Sequence, residues 1–177
     1  MPSAGIESID VLTSDGVLTG IHKPKPDIHR DGDWHLSVHV WIVVPDGRLL
    51  IQKRSLAKDN NPGLWDVSVA GHVSAGEGSI DSALREVEEE IGLILVASDL
   101  RLIGRVRESS VLHGGSYIDN EFHDVFLVRR AIDLSALVLQ PEEVDEVALV
   151  SVKGLRTRKD LVTHPAGYEL LFKTLSS

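Results

Sequence analysis

Apolar and polar positions change their period several times along the chain, and each change marks an element. Residues 9–12 and 17–21, parted by the turn-forming Ser14-Asp15-Gly16, predict a short hairpin. Residues 36–44 alternate and then run apolar through Val40, Trp41, Ile42 and Val43, until Pro45-Asp46-Gly47 turns the chain into a second strand over 48–54. Apolar or β-branched runs at 64–73, 100–106, 121–128 and 147–152, with turn signals between them, complete a mixed sheet. Over 79–91 the period becomes three to four: Ile80, Ala83, Leu84, Val87 and Ile91 fall on one stripe of a helix. Ser79 stands where an N-cap belongs, and Gly92 where a left-handed C-terminal cap would stop the helix. A second helix is expected over 168–175. Strands on both sides of a central helix, with another helix at the end, give an α/β class, a sheet between helices rather than a pure barrel or bundle.

Composition narrows the chemistry. The 177 residues, 42% apolar and 25% charged, suffice for one core. No cysteine occurs, which excludes disulfides, thiolate zinc sites and cysteine nucleophiles. A net charge of −9 disfavours a nucleic acid polymer or an anionic membrane as partner, and a polyanionic ligand would need cations to approach. Residues 1–10 have neither a basic start nor an apolar run, and no later stretch is apolar for the length of a bilayer span, so a soluble, cytoplasmic protein is expected.

The 79–91 helix carries an unusual load. Glu86, Glu89 and Glu90 recur at three and four residues, so their carboxylates leave one face, where each like-charge pair costs an isolated helix about 0.2 to 0.5 kcal/mol. Only Arg85 is near in sequence to offset them. A solvated acidic face has the same spacing. The glycine-punctuated loop over 71–78, with a further carboxylate at Glu77, shifts the reading toward a cation site, and hard oxygen ligands suit magnesium or manganese.

Gly71, five residues, Glu77, seven residues, then Arg85-Glu86-Val87-Glu88-Glu89-Glu90-Ile91-Gly92-Leu93 resembles the complete Nudix box. The resemblance implies an α/β/α sandwich around a mixed β-sheet, here with a short N-terminal β-hairpin extension. It implies one Nudix domain over 1–177, with its core over about 33–155 and the extension over 1–32. It further implies a hydrolase that uses divalent metal to cleave a diphosphate linked to another group, commonly a nucleoside. Carried over by position, Glu86 and Glu90 match metal ligands, Glu89 a further ligand or base, and Arg85 the residue that orients them. Glu77 and the backbone carbonyl of Gly71 match positions that support or join the metal shell. The water-activating base stays open between Glu86, Glu89 and Glu121.

Eight histidines are many for this length. A lone histidine is usually a hydrogen-bonding residue of the surface or core. The segments His35-Leu36-Ser37, Asn61-Pro62-Gly63-Leu64-Trp65 and Ala70-Gly71-His72, however, are similar to isopentenyl diphosphate isomerase and its hydrolase relatives within the Nudix superfamily. By that match His35, His72, Asp119 and Glu121, with His29 as the weakest member, form a metal site distinct from the helix or sharing ligands with it. Nitrogen ligands favour manganese or zinc there. The isomerase places a cysteine for proton transfer where this chain has Ala70, whose methyl group moves no proton. Hydrolysis is therefore the leading expectation. The alternatives are isomerisation through a noncysteine acid such as Glu121, and a diphosphate or nucleotide sensor without turnover.

Lys53, Arg54 and Lys58 are candidate phosphate contacts and Trp65 a candidate stacking face, whereas Trp34 and Trp41 read as core aromatics. Glu142, Glu143, Asp145 and Glu146 form an acidic loop that either is solvated or supplies one more ligand or base. Arg156, Arg158 and Lys159 read as exposed charge. The sequence leaves the leaving group and the oligomeric state open.

Overall fold

The computed structural model describes residues 6–177. The chain runs β1 (Ser8–Leu12), β2 (Leu18–Pro24), α1 (Lys25–Asp31), β3 (Trp34–Val43), β4 (Leu49–Arg54), β5 (Trp65–Asp66), β6 (Val69–His72) and α2 (Ser79–Ile91). It continues through β7 (Arg101–Leu112), β8 (Tyr117–Arg129), β9 (Val144–Val150), α3 (Val152–Thr157) and α4 (Pro165–Ser176). The strands form one mixed sheet. β3 lies at its centre, parallel to β8 from Trp34↔Asn120 to Val43↔Arg129 and antiparallel to β6 from Ser37↔His72 to Val40↔Val69.

Strand alternation splits the core in two. Val38, Val40 and Ile42 of β3 join Phe126 and Val128 of β8 under Ala83, Val87 and Ile91 of α2. Trp41 and Val43 join Val125 and Leu127 under Leu171 of α4. This is the expected sheet between helices, with Ala83, Leu84, Val87 and Ile91 of the 79–91 stripe turned inward and Ile80, in the first turn, left exposed.

Element boundaries differ instructively from the pattern. Ser79 is the first helical residue of α2, and extended Gly78 (φ −86°) is its N-cap. Gly92 closes α2 at φ 68°, its amide donating to the Glu88 carbonyl, as expected. The strand expected at 147–152 spans Val144–Val150, because the Ser151 side chain caps α3 by accepting from the Gly154 amide. The 64–73 run is two short strands, β5 and β6, and the last helix starts earlier, with Pro165 in its first turn. Helix α1 is not among the elements the pattern predicts; Pro24 is its N-cap and Pro26 stands in its first turn, where a proline costs a helix little. Gly32 ends α1 at φ 70°. Among the described residues no helix is long and apolar enough to cross a membrane.

Candidate functional site

The α4-side faces of β3 and β8 change character halfway. On β3 the sequence of that face is His35, Ser37, His39, then Trp41 and Val43; on β8 it is Asp119, Glu121, His123, then Val125 and Leu127. The apolar halves are sealed by α4. The polar halves flank a cavity of about 800 Å³, whose wall includes Ser37, His39, Glu121 and His123.

Two groups of candidate ligands stand on opposite faces of β6. Ala70 and His72 point to the α4 side, and Gly71 between them faces α2. A Cβ on Gly71 would lie 2.1 Å from Glu86 Cδ, so the missing side chain is what lets the Glu86 carboxylate lie across the strand.

On the α2 side, Glu86 is half-buried, Glu90 is 3% exposed, and Glu89 is exposed. Burial raises the Glu86 carboxyl to about 7 despite Arg85 beside it, and burial with the charge of Glu86 raises Glu90 to about 8. The Glu90 carboxylate accepts from Gln52 Nε2 at 2.8 Å. Arg85 is the hub: Nη1 donates to Glu86 (2.8 Å) and Glu89 (3.2 Å), while Nε and Nη2 grip the two oxygens of Glu77 (3.2 and 3.1 Å). Its Nη2 also reaches the His72 carbonyl at 3.3 Å, tying this group to the other face of β6.

On that face His29, His35 and His72 lie with ring centroids 4.9 to 5.3 Å apart. His29 Nδ1 is 3.3 Å from Asp119 Oδ1; His35 Nε2 is 3.6 Å from Asp119 and 3.5 Å from Glu121; His72 Nε2 is 3.6 Å from Glu121. His29, the weakest member of the expected set, comes from α1 and joins the group. His35 Nδ1 sits 2.9 Å from the Asp33 carbonyl, which can only accept, so Nδ1 carries a proton and Nε2 is the nitrogen that faces Asp119 and Glu121.

His35 Nε2, both nitrogens of His29 and Asp119 Oδ1 are buried without a hydrogen-bond partner. A neutral imidazole keeps one nitrogen as an acceptor, and unpartnered polar atoms gathered beside carboxylates are costly unless a cation completes them, so the residues present fit a divalent metal. Burial alone would raise Glu121, but the imidazoles of His123, His35 and His72 outweigh it and hold it well below the carboxylate range. Burial and the Glu121 charge raise Asp119.

Not every expected residue reaches the cavity. Arg54 and Lys58 line it, but Arg54 is engaged by Asp66 (3.0 Å) and the Asn60 carbonyl, and Lys58 by Glu143, the member of the late acidic loop that also lines the wall. Lys53 is not in the wall: alternation turns Gln52 toward Glu90 and sends Lys53 to the other side of β4. Trp65 offers no stacking face, since it is packed into the α4-side core with Arg158 over its ring at 4.8 Å. Trp41 is core as expected, and Trp34 is a half-buried rim aromatic under Arg107.

Sequence reasoning missed His39, His123, His164, Asp66 and Glu108, all of which line the same cavity. Period two from His35 and from Glu121 marks His39 and His123; nothing in the local pattern marks the other three.

Comparison with known proteins follows the geometry. A model described as NUDIX domain matches residues 33–171. The chain is 47% identical over 153 residues to Nudix hydrolase 3 of Arabidopsis thaliana, covering 85% of this chain but only 20% of that protein. It is 35% identical to an uncharacterized Nudix hydrolase of Clostridium acetobutylicum (83% of this chain, 70% of that one). It is 29% identical to an isopentenyl-diphosphate Delta-isomerase of Streptomyces griseus (85% and 74%). A Deinococcus radiodurans crystal structure shares the fold with a TM-score of 0.69 at 18% identity, covering 94% of this chain and 98% of that one.

Proposed function

The chain belongs to the Nudix family, and on that premise we propose that it is a divalent-metal-dependent hydrolase. Its substrate is a small organic diphosphate, such as a nucleoside diphosphate derivative, cleaved at the diphosphate linkage. We read it as a single domain acting in the cytoplasm, without a nucleic acid or membrane partner. The observation that carries the reading is the pair of half-buried Glu86, lying over Gly71 and gripped by Arg85, and buried Glu90, held by Gln52, beside an open cavity.

When bound, magnesium or manganese supplies charge neutralisation at the diphosphate and its leaving phosphate. Glu86, Glu89 and Glu90 are the residues to hold it on the α2 side, with Glu77 fixing Arg85 and so the carboxylates. His35, His72, Asp119 and Glu121, with His29, are the residues to hold one on the other face. Glu86, Glu89 and Glu121 are the three carboxylates that could accept the proton of the attacking water, and all three line the cavity, Glu89 from an exposed position. A wall made mostly of charged and hydrogen-bonding groups favours a polar diphosphate over a prenyl chain, and Ala70 offers no proton for isomerisation.

The test is turnover of a panel of nucleoside diphosphate derivatives and prenyl diphosphates with magnesium or manganese, with product analysis. One class should be hydrolysed, and Glu86→Gln and Glu90→Gln should each lower kcat/KM by about 100-fold or more, the scale of one charge-stabilising or acid–base group. Binding without turnover of any compound would favour a sensor instead. Isopentenyl diphosphate in deuterated water should gain no label; label would favour isomerisation.

A further inference from the structure

The cavity holds a second histidine group next to the first, the two meeting where His123 Nε2 lies 3.8 Å from Glu121 Oε2. His123 Nε2 and His164 Nδ1 converge on one oxygen, Glu108 Oε2, at 3.3 and 3.2 Å. The far nitrogen of each ring is held by another oxygen: His123 Nδ1 by the Ser37 hydroxyl, and His164 Nε2 by Asp66 Oδ1 at 3.3 Å. The other oxygen of Glu108 accepts from the Ala166 and Gly167 amides at 2.8 and 3.3 Å, so the first turn of α4 fixes the carboxylate. His39, 3% exposed, completes the group with its centroid 4.0 Å from His123 and 4.6 Å from His164, and its Nδ1 is buried without a partner. One ring nitrogen from each histidine falls within 4.8 Å of the others.

The donor set fits a metal centre with its supporting shell, in which the ion takes the place of the proton His164 shares with Glu108. Near nitrogens and a carboxylate oxygen gather at one point, while far nitrogens are oriented by a carboxylate and a hydroxyl. Asp66 is already paired with Arg54 through its other oxygen, which suits an orienting role rather than a ligand's. We propose that His39, His123, His164 and Glu108 form a second metal centre, separate from the His29–His35–His72 group. Imidazole nitrogens with one carboxylate select a borderline transition ion of the zinc class over magnesium. All four side chains line the cavity, so the ion is reachable from solvent and from a bound ligand.

Metal content is the readout, independent of turnover, so failure here and failure of the hydrolase reading are distinguishable. The full chain, stripped with chelator, is titrated with zinc alone by calorimetry, and the loaded protein is examined by X-ray absorption. A His35→Gln/His72→Gln double variant, which disables the neighbouring histidine group, should still bind zinc with imidazole ligation. His164→Gln and His39→Gln, checked for folding by circular dichroism, should lose that binding. Asp66→Asn, which removes no ligand, should weaken it by about 10- to 100-fold. No imidazole-ligated zinc in the double variant would overturn the proposal, as would zinc affinity unchanged by Asp66→Asn or by a folded His164→Gln.

Discussion

Gly71 shows how a residue can matter through what it lacks. The Nudix resemblance offers its carbonyl as part of a metal shell; the fold adds that its missing Cβ leaves the space Glu86 occupies. Gly71→Ala should therefore displace Glu86, lower kcat/KM by about 100-fold, and cost about 1 to 3 kcal/mol of stability as an overpacked position, read by steady-state kinetics and denaturant unfolding. The buried carboxyls also fix a pH dependence. Glu86 and Glu90 rise from 4.5 to about 7 and about 8, so between about 4.5 and 8 the metal-free fold keeps protons that the unfolded chain has released. Their contribution to stability is present below 4.5 and lost as pH rises through 7 to 8. Calorimetric unfolding in chelator should find Glu90→Gln more stable than the parent chain at pH 8, with the difference shrinking toward pH 5.

At the scale of elements, the site exists because two neighbouring parallel strands both switch from polar to apolar, β8 one inward-facing position earlier than β3, with His39 beside Val125. The run through His39 to Val43 was visible as a strand, but which of its residues share a face with Glu121 and His123 depends on the β3–β8 register, and no local pattern encodes a partner 86 positions away. Helix α1 makes the same point. Its place is set by Ile28, fully buried with Ile9 and Val11. Ile28→Ala should cost about 2 to 5 kcal/mol by chemical denaturation. Because His29 is the next residue of α1 after Ile28, the same change should weaken divalent metal binding in calorimetric titration while Glu86→Gln leaves α1 in place.

For the whole molecule, a net charge of −9 and a cavity bordered by Glu86, Glu90, Glu121 and Glu108 make cations part of the stable state. Divalent metal at about 100 times its Kd should stabilise the fold by about 2.7 kcal/mol per site by mass action, seen as a rise in Tm that chelator reverses. An unchanged Tm at saturating manganese and zinc would contradict this. The sequence by itself determined the α/β class and the α2 helix with its glycine stop, and it put Glu86, Glu89 and Glu90 on that helix on a face opposite the apolar stripe, whereas the fold buries Glu90 against Gln52 and leaves Glu89 exposed. What it determined follows from spacing within one element, where neighbours in sequence are neighbours in space. It also named His35, His72, Asp119 and Glu121 through resemblance. Only the tertiary structure decided that Lys53 and Trp65 turn away from the cavity, that α1 brings in His29, and that His39, His123 and His164 meet around Glu108. Each of these follows from strand register and from packing between distant segments, where a one-residue slip would send every side chain to the other face.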